Sequence, residues 1–145
     1  MSTTTLQTPP PAPFAPGNLA RGALAALLAA NGLAMLVAPG DWYRAVPGVV
    51  YTGPLNLHFV RDIGCAYLVA AGGLAWRAWS GRAGAALAGA AFLLLHAGVH
   101  GWELAVGICG WGRFLRDLPG VVLAAAAALW LALPDRATGA EARHA

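Results

Sequence analysis

The chain has 145 residues, of which 59% are hydrophobic and only 10% charged. Soluble domains carry about 25% charged residues, so this composition excludes an ordinary water-soluble domain and points to the membrane class. The formal charge of +3 comes wholly from arginines scattered at the ends of apolar runs, which excludes a nucleic-acid-binding patch and leaves ordinary topology signals.

Residues 1–17 carry Pro9, Pro10, Pro11, Pro13 and Pro16 without periodicity, which predicts a partly polyproline tail. No basic stretch precedes the first apolar run, so a retained helix is preferred there over a cleaved signal peptide. Four apolar stretches come next. In lipid only helices and closed barrels satisfy the backbone, and these runs are continuous rather than alternating. The expected fold is therefore an all-α integral membrane four-helix bundle, one domain over residues 18–133, with the bilayer as its solvent.

The first helix is predicted over 18–37, with Asn18 as its N-cap, Arg21 at the membrane edge and Pro39-Gly40 as its stop. Asn31, its polar interior residue, predicts a packing hydrogen bond to a neighbouring helix, with a ligand role as the alternative. Residues 41–56 form a loop with a short helix before Pro47, long enough to fold over the end of the bundle. Trp42 and Tyr43 read there as interfacial anchors. The second helix spans 55–79 and leaves through an aromatic-basic belt of Trp76, Arg77 and Trp79. Residues 80–84 make a tight turn, so the second and third helices are antiparallel neighbours. The third helix covers 85–106 and is broken by Gly107 and Gly110. Residues 107–117 form a second loop, with Trp111, Arg113, Phe114, Leu115 and Arg116 as a short interfacial segment. The fourth helix runs over 118–133 to Pro134, and 134–145 is a polar tail.

Counting arginines sets the orientation. With both termini cytoplasmic, Arg21, Arg77, Arg82, Arg136 and Arg143 lie inside and Arg44, Arg113 and Arg116 outside. The two cysteines, Cys65 and Cys109, make no disulfide framework and are expected to stay unpaired.

Two polar stripes interrupt the apolar runs. His58, Arg61, Asp62 and Cys65 share one face at the start of the second helix. His96, His100 and Glu103 share a face at the end of the third, within an arc of about 60° at 100° per residue. The tight turn between these helices puts both stripes at one depth, and Asn31 reaches the same layer. Ionisable side chains inside a membrane segment default to a functional reading.

Three readings of the stripes stand side by side. In the first, His58, Asp62, His96, His100 and Glu103 converge beneath the 41–56 loop as a transition-metal site, Asn31 and Arg61 lie beside it, and Cys65 packs one turn below Arg61. Haem is a lesser variant, because the histidines are not separated across the bundle. In the second, a histidine and a carboxylate hydrogen-bond a quinone and exchange its protons. In the third, the stripe is a structural network, with Arg61 paired to Asp62 or Glu103, in a protein that associates with itself or with a membrane partner. Whether the chain is an enzyme stays open at this point.

The chain resembles the DoxX-like group of small bacterial four-helix membrane proteins. The likeness covers most of residues 18–133 and is carried by Arg61-Asp62-Ile63-Gly64 with Ala66-Tyr67-Leu68, and by His96-x-x-x-His100-x-Trp102-Glu103. It implies the architecture and a place in the bacterial cytoplasmic membrane. Some members of the group are linked with quinone-dependent sulfur oxidation.

Overall fold

The computed structural model describes residues 15–135, and the segments expected as tails fall largely outside that range. Five helices succeed one another: α1 (Pro16–Val37), α2 (Pro39–Ala45), α3 (Leu57–Ser80), α4 (Gly84–Ala105) and α5 (Trp111–Ala132). Four of them, α1, α3, α4 and α5, are long and apolar enough to cross a membrane, and together they form an all-helical bundle.

The helix ends obey local chemistry. Proline opens both α1 and α2 in their first turns, where its missing N–H costs nothing. Asn18, expected as the cap of the first helix, lies inside it instead, buried in the first turn. The side chain that does cap is Asn56, which accepts from the backbone N–H of His58 and Phe59 at 3.1 Å each. Gly81 ends α3 in the left-handed region at φ 71°, and the reversal into α4 is as tight as predicted.

The largest boundary difference lies after α4. Residues 111–117, expected as loop, are the first turns of α5. The expectation read Trp111–Arg116 as a separate interfacial segment and began the fourth helix at Leu118, whereas the helix starts at Trp111, directly after Gly110. The helix runs on through Pro119 as a π-helical stretch over Leu118–Leu123.

Around the bundle the order is α1, α3, α4, α5, each neighbour antiparallel to the last. Small residues set the spacing. A Cβ on Gly32 would meet the Gly64 carbonyl oxygen at 2.7 Å, one on Gly73 the Ala85 carbonyl at 2.5 Å, and one on Gly89 the Ala70 Cα at 2.6 Å. Backbones this close gain dispersion contacts that larger side chains would block. Between them sits a core of Leu28, Met35, Leu74 and Leu93 with many alanines.

Helices α1 and α5 meet at one end only. Along residues 111–123 no Cα of α5 comes within 8 Å of α1, and contact is confined to Ala124–Ala132. Two arginines make that closure. Arg21 from α1 donates to the Leu131 carbonyl (2.9 Å), to Asn18 (2.9 Å) and to Asp135 (2.5 Å). Arg77 from α3 donates to Gly81 O, to Leu133 O at 3.2 Å and to Asp135 at 3.3 Å. Both arginines are buried, 5% exposed, so Arg77 is not part of the outward aromatic-basic belt expected at the exit of its helix. They satisfy carbonyls at the C-terminal end of α5 and of α3, where cations are favoured.

Neighbouring glycines give opposite expected outcomes. Gly73→Ala should destabilise the bundle by about 1–3 kcal/mol through overpacking against Ala85. Gly72→Ala, with open space around it, should be neutral or stabilising by up to about 1 kcal/mol. Thermal unfolding in detergent distinguishes the two, and equal effects would contradict the packing described.

The Arg21 hydrogen bond, reinforced by both guanidinium charges against partial burial, holds the Asp135 carboxyl below the usual carboxylate range. Its folded pKa is depressed, so the stabilisation is fully present above the unfolded value of about 3.9 and disappears as pH falls through the folded value. Asp135→Asn should therefore lower the unfolding temperature at neutral pH. The gap from wild type should close in acid; a gap independent of pH would show that the carboxylate charge is not what matters.

Candidate functional site

The inner face of α4 carries Phe92, His96, His100 and Glu103 in one stripe, and all four line a cavity of about 1090 Å³ at the end of the bundle away from the arginines. Phe92 stacks on the His96 ring, 6.2 Å between centroids and 13° between planes. Tyr67 of α3 stands edge-on to both, at 5.9 Å and 6.4 Å. His96 in turn meets His100 edge-on at 5.0 Å. The row of rings ends at a carboxylate: Asp117 Oδ2 lies 3.0 Å from His100 Nδ1, with both side chains mostly buried. An imidazole held through Nδ1–H by a carboxylate keeps Nε2 for a second partner, and none occupies that nitrogen among the described residues. The Tyr67 hydroxyl likewise makes no hydrogen bond among them.

The cavity has a polar end and an apolar body. Asn31, Trp42, His100, Glu103 and Asp117 mark the first, and Leu24, Leu27, Leu28, Leu123 and Ala124 belong to the second. Over the polar end lies the segment 46–56. Tyr43 ties it down by donating to the Gly53 carbonyl at 2.6 Å, and the Arg113 guanidinium of α5 sits 5.6 Å above the Tyr51 ring. Gly48, in the left-handed region at φ 94°, brings the backbone so near Asp117 that a Cβ there would stand 3.4 Å from its carboxylate. Trp42 turns inward rather than anchoring at an interface: its indole N–H donates to Asn31 Oδ1 at 2.9 Å. Asn31 thus makes a packing hydrogen bond to the short helix α2.

The stripe expected on the second helix goes elsewhere. His58 and Asp62 pair with one another at 3.4 Å, with side chains 89% and 58% exposed, and neither lines the cavity. Arg61 pairs with neither Asp62 nor Glu103; it donates to the Leu36 carbonyl at the end of α1, 3.3 Å away. Cys65 is exposed rather than packed, Cys109 is buried, and both are free thiols. The reason is helical phase. The buried face of α3 runs through Val60, Gly64, Tyr67, Ala71 and Leu74. Gly64 must face inward because only glycine tolerates the approach of Gly32 and Met35. Asp62 then lies about 200° round the helix from Val60. The five-residue convergence expected for a metal is therefore not formed, and among the described residues no group of three or more His, Cys, Asp or Glu is placed to hold one ion.

Asp117, Tyr67 and Phe92 are the site residues that sequence reasoning misses. Asp117 falls in an expected loop; extending the helix back to Trp111 is the signal that would set it opposite His100. Tyr67 stands out in the sequence only through the family resemblance, although its spacing from Val60 and Gly64 puts it on the inner face.

Chemically, the row offers a ring-binding wall and a histidine oriented by a carboxylate, able to donate or accept one proton at Nε2. Comparison of the chain with family models, with curated proteins and with solved structures finds no match.

The His100–Asp117 contact makes a spectroscopic prediction. Nitrogen-15 NMR of the neutral protein should find His100 protonated mainly at Nδ1, and Asp117→Leu should shift the population toward Nε2–H. An unchanged tautomer ratio would mean that Asp117 does not orient the ring.

Proposed function

We propose that this chain is an integral membrane protein that binds a quinone, with the quinone ring at the Tyr67–Phe92–His96 wall and a ring oxygen at His100. One observation carries the reading: a cavity with apolar walls ends in an imidazole that a carboxylate orients. Ligand sites in general combine apolar lining with a few convergent polar groups. A quinone carbonyl accepts a hydrogen bond and its quinol form donates one, and His100 Nε2 matches either according to its own protonation. The aromatic residues suit a flat ring by offset or edge-on contact.

The transition-metal reading has no comparable support, since His58 and Asp62 are turned away from His96 and His100. The DoxX-like resemblance agrees with the quinone reading through the quinone-linked members of that group. The arginine bias supports cytoplasmic termini, with the His100 end on the opposite side, in a bacterial cytoplasmic membrane.

The test is quinone binding by the purified protein in lipid nanodiscs, corrected with empty nanodiscs. His100→Ala should weaken binding about tenfold, the worth of one hydrogen bond to a ring nitrogen in a dry site. His58→Ala, outside the cavity, should leave it within about twofold. No saturable binding by the wild type, or equal losses in the two variants, would overturn the proposal.

A further inference from the structure

The geometry points to a ligand with a long apolar chain, seated in the open seam between α1 and α5, rather than a bare ring; this deepens the quinone reading and rests on it. Two sides of the cavity differ. Its water-facing end is roofed by residues 46–56, held through Tyr43 on the Gly53 carbonyl and Tyr51 under Arg113. Its lateral side is not closed: α1 comes within 8 Å of α5 only along Ala124–Ala132. Leu27 on one edge of the seam and Leu123 on the other both line the cavity, and they remain 68% and 56% exposed. In a bilayer that seam opens onto acyl chains.

Size and depth agree. The volume of about 1090 Å³ lies at the top of the usual range of roughly 300–1,000 Å³ for small-molecule sites, more than a single ring fills. From Asn31 at the polar end to Leu24 the α1 wall descends about 10 Å. A ring at His100 therefore leaves an apolar trough for a chain of several carbons, which reaches the site sideways from the lipid and never has to cross the roof.

The test pairs two quinones with the same ring, one decyl-substituted and one without a chain, and measures both on each variant in nanodiscs. Taking the ratio of wild type to variant for each ligand cancels its partition into lipid. Leu27 lines the apolar body one turn below Asn31 and is 68% exposed, so Leu27→Trp adds bulk in the trough without displacing a buried side chain. Leu123→Trp fills it from the opposite edge, where the leucine is 56% exposed, and serves if the first variant does not fold. Gly72→Phe, with open space around it and outside the cavity, is the control.

Either trough variant should weaken the decyl quinone about tenfold or more, since each buried methylene lost is worth a severalfold change. The chainless ring should change by less than about twofold, and the control should alter neither. Equal losses for both ligands, or no loss for the decyl quinone, would overturn the chain placement while leaving the ring site standing. If neither quinone binds the wild type, the ring site and the chain placement fail together.

Discussion

Two guanidiniums buried to 5% exposure decide how this bundle closes. Arg21 and Arg77 reach from α1 and α3 to the Leu131 and Leu133 carbonyls and share Asp135. A charge taken out of water needs compensation nearby, and at this end it comes from helix-terminal carbonyls and one carboxylate. Because that anchoring is concentrated at one end, α5 is held against α1 only there. The glycine crossings of α1 on α3 and of α3 on α4 fix the other three helices, so the remaining freedom falls on the α1–α5 seam. The cavity is the space that this uneven closure leaves.

At the opposite end a different arrangement supplies the polar chemistry. Phe92, His96 and His100 rise along α4 one turn apart, and Asp117 meets them from α5. Each group is ordinary alone. Held in sequence, they form an aromatic wall that leads to an imidazole whose second nitrogen has no partner among the described residues. Where the roof passes Asp117 its backbone turns through the left-handed region, φ 94°, which is why a glycine stands at residue 48.

Much of the frame is legible in the sequence because hydrophobic run length and glycine–proline punctuation report directly on membrane helices. The tight turn after Ser80, the short helix before Pro47 and the packing role of Asn31 all come from such local signals. The facing of α3 is not legible. Its most conspicuous residues, His58, Arg61 and Asp62, are polar, and polarity in a membrane helix ordinarily marks the side turned into the bundle. The deciding residue is Gly64, whose requirement for close backbone approach becomes visible only when Gly32 is set against it. Asp117 is hidden for another reason: Gly107 and Gly110 signal a loop before it, and nothing local to the sequence says that the last helix already starts at Trp111 and runs on through Pro119.

The widened turn over Leu118–Leu123 also sets a rotational phase. A π-turn amounts to one extra residue in an α-helix, and each added residue rotates the remainder of the helix by about 100°. Below it, Ala125, Ala128 and Ala132 are buried within the bundle; above it, Asp117 is directed at His100. With regular winding through the same stretch, Asp117 would point away from α4 while the alanine face stayed where it is. One residue's worth of extra winding thus sets which way the far end of this helix faces, independently of the alanine face that packs below it.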